Sequence, residues 1–251
     1  MLIEPLILGF LVAVLVSLTG VGGGAVMTPA LVLLLGVPLE TAIGTDLLYI
    51  VVTKAIAVSV HARDGQVRWD LVRGLLLGSL PAVVIILGGI AVLGGVGENA
   101  VYQPAIAIAL AVTAIVLLGG RRLRDRLAVF NTVPAHLMLP ITGVVLGSLV
   151  ALSSIGAGAI GVTAILLVAP TIAPRKLVAT DLAQAFPLAL IAGMGHAVLG
   201  HVDYELLLHL TLGAVPGALV GCQLSGRVSR DVLLNGVGLT LLVLSITMFI
   251  V

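Results

Sequence analysis

The chain has 251 residues, of which 60% are hydrophobic and 9% charged, and its formal net charge is +1. Its mean hydropathy of +1.30 lies well outside the range of soluble domains. This composition excludes an ordinary soluble protein and indicates a chain surrounded by the lipid bilayer. We expect no nucleic-acid partner, and the net charge says nothing further about partners or oligomeric state.

Apolar runs follow one another along the whole length, and a membrane span needs roughly 20 such residues. The predicted spans or part-spans cover residues 5–19, 25–36, 41–61, 70–93, 101–119, 134–152, 161–172, 177–198, 204–224 and 232–250. The second and seventh are too short to cross a bilayer alone. We therefore expect an all-α polytopic membrane protein with about eight to ten helical segments, including two short helices.

Part of the chain repeats itself at a constant offset of 135 residues. Residues 45–81 match residues 180–216, with 14 of the 37 positions identical. The identical pairs include Thr45/Thr180, Asp46/Asp181, His61/His196, Gly65/Gly200, Gly78/Gly213 and Pro81/Pro216. Duplication around a weak internal symmetry is how many secondary transporters are built. We predict a first repeat over residues 1–120, a basic cytoplasmic linker over 121–133 and a second repeat over 134–251.

The positions of the basic residues predict the orientation of the two repeats. Eleven of the 12 Lys and Arg side chains fall in four places: Arg63/Arg68/Arg73, Arg121/Arg122/Arg124/Arg126, Arg175/Lys176 and Arg227/Arg230. Counting spans puts all four places on one side, which the positive-inside bias makes cytoplasmic. The two repeats are then inverted, both chain ends face outward, and the protein is a multi-pass protein of the inner (cytoplasmic) membrane. The linker has a topological role in this interpretation, and binding of anionic lipid head groups is the alternative.

A glycine cluster precedes each of the two short segments. Glycine clusters break a helix and expose backbone N–H groups, and a helix that restarts there presents unpaired amides and a positive dipole end. Both restarted helices are about 12 residues, or roughly 18 Å, so each should begin near the middle of the membrane. Two such helix starts form an anion site, although the glycines could instead serve only close helix packing. The substrate-binding candidates in and beside the clusters are Gly20, Gly22, Gly23, Gly24, Thr45, Ser153, Ser154, Gly156, Gly158 and Thr180.

The order of these motifs resembles the sulfite exporter TauE/SafE family over essentially the whole chain. The residues that carry the resemblance are Gly20-Val-Gly-Gly-Gly24 with Pro29, Ala42-Ile-Gly-Thr45, His61-Ala-Arg-Asp-Gly65 with Val67 and Trp69, Gly156-Ala-Gly158, Ala179-Thr180-Asp181 and Gly200-His-Val-Asp203-Tyr204. The chain departs from the family pattern at Asp46 and Asp181, where a small residue is usual, and at Ala159-Ile160, where glycines are usual. The resemblance implies transport of sulfite, sulfonates or other small sulfur-containing anions.

Three charged residues remain inside the predicted spans: Asp46, Lys54 and Asp181. A bare charge in hydrocarbon is costly, so each should face the interior of the bundle. The two acids are candidates for coupling proton movement to substrate, and the alternative is that each accepts hydrogen bonds from a neighbouring broken helix and stabilises the fold. Lys54 is an anchor for the substrate or a counter-charge to an acid. Gln184, one turn from Asp181, is a polar residue that could line the pathway.

Histidines and hydroxyls add weaker signals. His61 and His196 are equivalent in the repeat and lie at helix ends, where a histidine more often bonds a loop than relays protons. His136, His201 and His209 have no metal-ligand spacing, so we expect no metal and no cofactor. The hydroxyls of Thr45, Thr180, Ser153 and Ser154 suit an oxyanion, but they serve equally well as caps within their own helices.

These features favour a secondary transporter of a small sulfur-containing oxyanion that works by alternating access, with coupling to protons as a further hypothesis. A passive small-anion channel would use the same site without coupling carboxylates. An intramembrane enzyme is disfavoured because the chain lacks the HExxH, GxSxG and paired-aspartate motifs. A receptor or scaffold is disfavoured because the predicted spans leave no extramembrane domain to read a signal.

Overall fold

The computed structural model describes residues 3–19, 24–92, 134–154, 159–169 and 171–224, with isolated helical positions between 108 and 119 and between 239 and 246. The described ranges contain eight helices and no strand. The helices are α1 (Ile3–Thr19), α2 (Gly24–Leu35), α3 (Leu39–Arg63), α4 (Trp69–Val92), α5 (Ala135–Ser153), α6 (Ala159–Val168), α7 (Pro174–Val198) and α8 (Tyr204–Leu224).

The predicted spans agree with these helices for eight of the ten segments. The two short segments are helices of 12 and 10 residues, as expected, and α3 and α7 are the longest at 25 residues each. Five of these eight described helices are long and apolar enough to cross a membrane, namely α3, α4, α5, α7 and α8. Apart from the isolated positions, the predicted spans at 101–119 and 232–250 lie outside the described residues, as does the linker at 121–133.

Prolines and glycines divide the chain into these helices. Pro38 and Pro174 stand at the starts of α3 and α7, where the missing N–H of proline removes no intrahelical hydrogen bond. After α3 and α7 the chain turns at Gly65 and Gly200, with φ of 63° and 79°, a region that glycine enters without steric cost. Each turn leads within a few residues into the next span.

Helices α3 and α7 form the centre of the bundle. They pack against each other, and 59% and 67% of their apolar windows are buried, compared with 33–44% for the windows of α4, α5 and α8. The outer helices form two tight pairs, α1 with α8 and α4 with α5. Large exposed apolar side chains such as Leu77, Ile85 and Ile141 lie on these outer helices, as expected for surfaces that face lipid.

Glycines allow the close approach within each outer pair. A Cβ at Gly78 of α4 would collide with the backbone of α5 at Pro140, and a Cβ at Gly213 of α8 would collide with the backbone of α1 at Leu6. Because Gly78 and Gly213 are separated by 135 residues, equivalent positions of the repeat make equivalent contacts. Small residues at such crossings let helix backbones pack closely where no hydrophobic force drives association in lipid.

Candidate functional site

The carboxylate of Asp46 lies fully buried where three helices meet. One of its oxygens, Oδ2, accepts hydrogen bonds from Thr28 Oγ1 of α2 at 2.7 Å and from Ser154 Oγ at the end of α5 at 2.8 Å. The other oxygen, Oδ1, has no partner among the described residues. Asp46 therefore joins the two halves of the chain, and half of its hydrogen-bonding capacity remains open to a proton or another donor.

Ser154 holds an unusual backbone conformation that directs its hydroxyl toward Asp46. Its φ of 57° puts it in the left-handed region, where it ends α5 while its N–H donates to the carbonyl oxygen of Val150 at 2.9 Å. Gly24, the first residue of α2, lies against it so closely that a Cβ there would be 2.8 Å from Ser154 Oγ. The last glycine of the first cluster and the serine that precedes the second cluster therefore meet beside Asp46.

Lys54 lies two turns further along α3 and is fully buried. Its ammonium interacts electrostatically with both Asp181 and Asp46. Its Nζ has no hydrogen-bond partner among the described residues. The sequence predicted that Lys54 is an anchor for the substrate or a counter-charge to one acid, and in the structure it interacts electrostatically with two. The three groups form one buried electrostatic cluster.

Asp181 and Gln184 form the matching part of the second half. Both are fully buried on α7, and both side chains face Gly161 near the start of α6. A Cβ at position 161 would collide with Asp181 Oδ1 and would lie 2.9 Å from Gln184 Nε2. The short helix α6 therefore stands against Asp181 as α2 stands against Asp46.

The hydroxyls of Thr45 and Thr180 each hold a loop. Thr45 Oγ1 accepts the N–H of Asp203 at 3.1 Å, and Thr180 Oγ1 accepts the N–H of Arg68 at 3.0 Å. Both pairs are equivalent in the repeat, since each partner is displaced by 135 residues. Each loop is thereby fastened to the central helix of the other half, one residue from the buried acid. Arg68 also bonds Asp70 with its guanidinium, and the Asp70 carboxylate raises the pKa of Arg68 above its ordinary value.

The histidine at the end of α7 bonds both a helix end and a loop. His196 is buried, its Nε2 lies 2.9 Å from the carbonyl oxygen of Ala151, and its Nδ1 lies 3.3 Å from His201 Nδ1. His201 in turn lies 3.4 Å from Glu40 at the start of α3. Among the described residues no group of three His, Cys, Asp or Glu side chains could hold a metal ion.

The predicted site residues thus fall into three groups. The first group is buried and forms two sets, Asp46 with Ser154 and Gly24, and Asp181 with Gln184, and Lys54 interacts electrostatically with both acids. Thr45 and Thr180 hold loops, and Ser153 Oγ donates to the carbonyl oxygen of Leu149 in its own helix at 2.8 Å. The third group lies outside the described residues and comprises Gly20, Gly22, Gly23, Gly156 and Gly158. Sequence reasoning missed Thr28, whose only signal was a hydroxyl one turn into the helix that follows the first glycine cluster.

Comparison with known proteins agrees with this architecture. The profile of the family described as Sulfite exporter TauE/SafE matches residues 6–248. The chain belongs to the TauE/SafE family. This TauE/SafE protein is therefore a membrane transporter by family, and its apolar helices are those of a multi-pass membrane protein.

Curated relatives of this TauE/SafE protein carry names that agree with the family. It is 34% identical over 236 residues to the Bacillus subtilis protein named "Probable membrane transporter protein YjnA", covering 91% of this chain and 92% of that one. It is 25% identical to "Probable membrane transporter protein YdhB" of the same organism, covering 92% and 93%. It is 24% identical to "Probable membrane transporter protein MJ0441" of Methanocaldococcus jannaschii, covering 91% and 89%. No solved structure gives a significant match to the chain.

Proposed function

We propose that this protein is a secondary transporter that moves a small sulfur-containing oxyanion, such as sulfite or an organosulfonate, across the cytoplasmic membrane by alternating access. The observation that carries the proposal is the fully buried ammonium of Lys54, which has no hydrogen-bond partner among the described residues. A buried cation with three unsatisfied donors is costly, and the oxygens of an oxyanion are suitable acceptors for it. The family description, which names a sulfite exporter, supports the class of anion.

The glycine-broken helix starts complete the proposed anion site. Gly24 begins α2 against Ser154, whose hydroxyl bonds Asp46, so the start of this short helix lies beside Asp46. Unpaired amides at a helix start bind anions through direct donation and through the helix dipole. We assign Gly20, Gly22, Gly23, Gly156 and Gly158 to this backbone cradle and Lys54 to the charge that holds the anion in it.

The two buried acids give a physical reason for coupling to protons. With Asp46 and Asp181 both ionised, the cluster with Lys54 carries a charge of −1 and repels an anion. One proton makes the cluster neutral and a second makes it positive, so anion and proton favour each other's binding. Coupling of this kind is reciprocal, because a bound proton raises the affinity for the anion by the same factor as a bound anion raises the affinity for the proton. This argument favours a coupled transporter over a passive channel.

Flux into proteoliposomes tests the proposal. Radiolabelled sulfite, sulfate and a sulfonate would be offered with and without an imposed pH gradient. We expect sulfite or the sulfonate to accumulate in response to the gradient, whereas a passive channel would only equilibrate it. Asp46→Asn and Asp181→Asn should leave exchange of the anion intact and remove its response to the gradient. Accumulation that survives in both variants would assign the acids a structural role and contradict the coupling.

Substitutions of two lysines, one buried and one exposed, test whether Lys54 holds the anion. Lys54→Gln keeps a polar donor on a slightly shorter side chain but removes the charge. We expect anion exchange to fall at least about fivefold, because a charged hydrogen bond exceeds a neutral one by roughly 1 kcal/mol or more. Lys176→Gln removes the same charge from an exposed side chain at the start of α7 and should leave exchange unchanged. Equal losses in the two variants, or none in Lys54→Gln, would contradict the assignment of Lys54 as the anchor.

A further inference from the structure

A chain of polar groups connects the buried end of α5 to the start of α3. His196 Nε2 faces the carbonyl oxygen of Ala151 at 2.9 Å, His196 Nδ1 faces His201 Nδ1 at 3.3 Å, and His201 Nε2 faces Glu40 Oε2 at 3.4 Å. His196 is 1% exposed, so its ring depends on these partners for its hydrogen bonds. The chain therefore runs from the interior of the bundle to a partly exposed carboxylate.

The number of protons on this chain follows from its geometry. A backbone carbonyl only accepts, so His196 Nε2 must carry hydrogen. One of the two facing Nδ1 atoms must carry hydrogen and the other must not. If Glu40 is a carboxylate, His201 Nε2 must also carry hydrogen, which puts three hydrogens on the four ring nitrogens. Two neutral imidazoles hold only two, so the complete chain contains one additional proton, whichever ring bears it. If Glu40 is protonated instead and both rings are neutral, the chain again contains one additional proton.

This proton site includes the loop that docks on α3 beside Asp46. The loop between α7 and α8 docks on α3 at Gly44, where a Cβ would collide with the carbonyl oxygen of His201, and at Thr45, which accepts the N–H of Asp203. Asp46 is the next residue of α3. A change in the attachment of His201 to Glu40 therefore acts on a loop that docks on α3 one residue before the buried acid.

We propose that His196, His201 and Glu40 form a proton-binding latch that fastens the α7–α8 loop to α3 and closes this end of the substrate pathway. The closing role rests on the proposed transport function, whereas the latch itself does not. With the additional proton the chain is complete and the loop is held. Without it, either the lone pair of His201 Nε2 faces the Glu40 carboxylate or the two Nδ1 lone pairs face each other, so one contact of the chain is lost and the loop is held less firmly.

The neighbouring charged groups are bonded elsewhere or exposed, so we assign the additional proton to His196, His201 and Glu40. On α3, the carboxylate of Asp46 is bound by Thr28 and Ser154, and the last turn of α5 contains no titratable residue. Asp203 in the loop accepts the N–H of Leu206 at 2.9 Å and so caps α8. Among the described residues, four further titratable groups lie near this end, each exposed at the start of α1 or α8 or bonded to its own helix: Glu4, Tyr204, Glu205 and His209.

The equivalent loop of the first half has no such latch. Gln66 stands where His201 stands in the second half, and its amide Nε2 donates to the carbonyl oxygen of Asp64 in its own turn at 3.2 Å. The backbone attachment is otherwise the same, since Arg68 N–H bonds Thr180 as Asp203 N–H bonds Thr45. The two ends of the pathway therefore differ in their response to protons, and the first loop is an internal control.

A nitroxide label can report the attachment of each loop. Tyr204 and Trp69 are equivalent, are the first residues of α8 and α4, and are 63% and 51% exposed. Each would be replaced by cysteine and labelled in a Cys222→Ala background of the full chain in liposomes. We expect the spectrum at position 204 to show a held label at pH about 5.5 and a roughly tenfold shift toward a mobile label at pH about 8.5. The label at position 69 should not change.

Substitutions at Glu40 distinguish the latch from a general effect of pH. Glu40→Gln supplies an amide donor to a neutral His201, so the loop should stay held over the whole range. Glu40→Ala removes the partner, so the label should be mobile at every pH. A pH-dependent spectrum at 204 that survives in Glu40→Gln, or that is absent from the unsubstituted chain, overturns the latch. A pH-dependent spectrum in a protein that moves no anion would instead overturn the proposed function and leave the latch in place.

Discussion

Replacement of Gly24 by alanine tests the junction of the two halves most directly. The added Cβ would lie 2.6 Å from the carbonyl carbon of Ser154 and 2.8 Å from its Oγ, whereas ordinary Cβ contacts begin at 3.4 Å. Relief of the overlap requires α2 and Ser154 to separate by at least about 0.8 Å, and by more at the Ser154 carbonyl oxygen, which lies closer still, because close-packed interiors leave no other space. The 2.8 Å hydrogen bond between Ser154 and Asp46 cannot survive such a shift without rearrangement.

The expected loss has two parts. Overpacking a tight junction costs about 1–3 kcal/mol of stability. Loss of a hydrogen bond to a charged carboxylate contributes roughly 1.5–3 kcal/mol more if Asp46 finds no substitute donor. We expect a lower thermal midpoint in detergent and a fall of at least about tenfold in anion exchange, since a displacement approaching 1 Å is enough to disrupt a positioned site.

Gly88→Ala is the matched control. Gly88 also lies within a helix, α4, but a Cβ there would meet nothing within 4 Å. Replacement of a helical glycine by alanine in open space stabilises by about 0.4–1 kcal/mol through the unfolded state. If Gly24→Ala is as stable and active as the unsubstituted protein, or if Gly88→Ala is equally harmful, the proposed junction at Ser154 is wrong.

Three further predictions use the same logic. Thr28→Val should lower the free energy of unfolding by about 1–3 kcal/mol through loss of a bond to Asp46, and Thr28→Ser should restore most of it; equal effects of the two would point to packing instead. Thr45→Val and Thr180→Val each leave a loop amide without its acceptor. Each should lower the free energy of unfolding by about 1–2 kcal/mol, measured by thermal or denaturant unfolding, and clearly unequal losses would contradict the equivalence of the loops. Cysteines at Trp69 and Tyr204 should react with an impermeant reagent from opposite sides of the membrane, Tyr204 from outside together with both chain ends; reaction from the same side would exclude inverted repeats.

The sequence alone determined the class of protein and most of its helices. Hydropathy over a window of about 20 residues is a local property, and each helix in lipid must satisfy its own backbone hydrogen bonds, so the spans can be identified without knowing their neighbours. The same locality explains why the short helices α2 and α6 and the buried charges Asp46, Lys54 and Asp181 were predicted correctly from the chain. The inverted orientation of the repeats stays a prediction from charge placement.

Only the tertiary structure decided which residues meet. Asp46 bonds Ser154 across 108 positions of sequence, and Thr45 bonds Asp203 across 158. No periodicity within one helix encodes such a pairing, because it depends on how α3 packs against the ends of helices from the other half. The same holds for the histidine chain, whose proton count follows from the carbonyl of Ala151 facing one ring. The sequence identified the polar groups that had to be buried, and the packing of the two halves determined which partner each of them received.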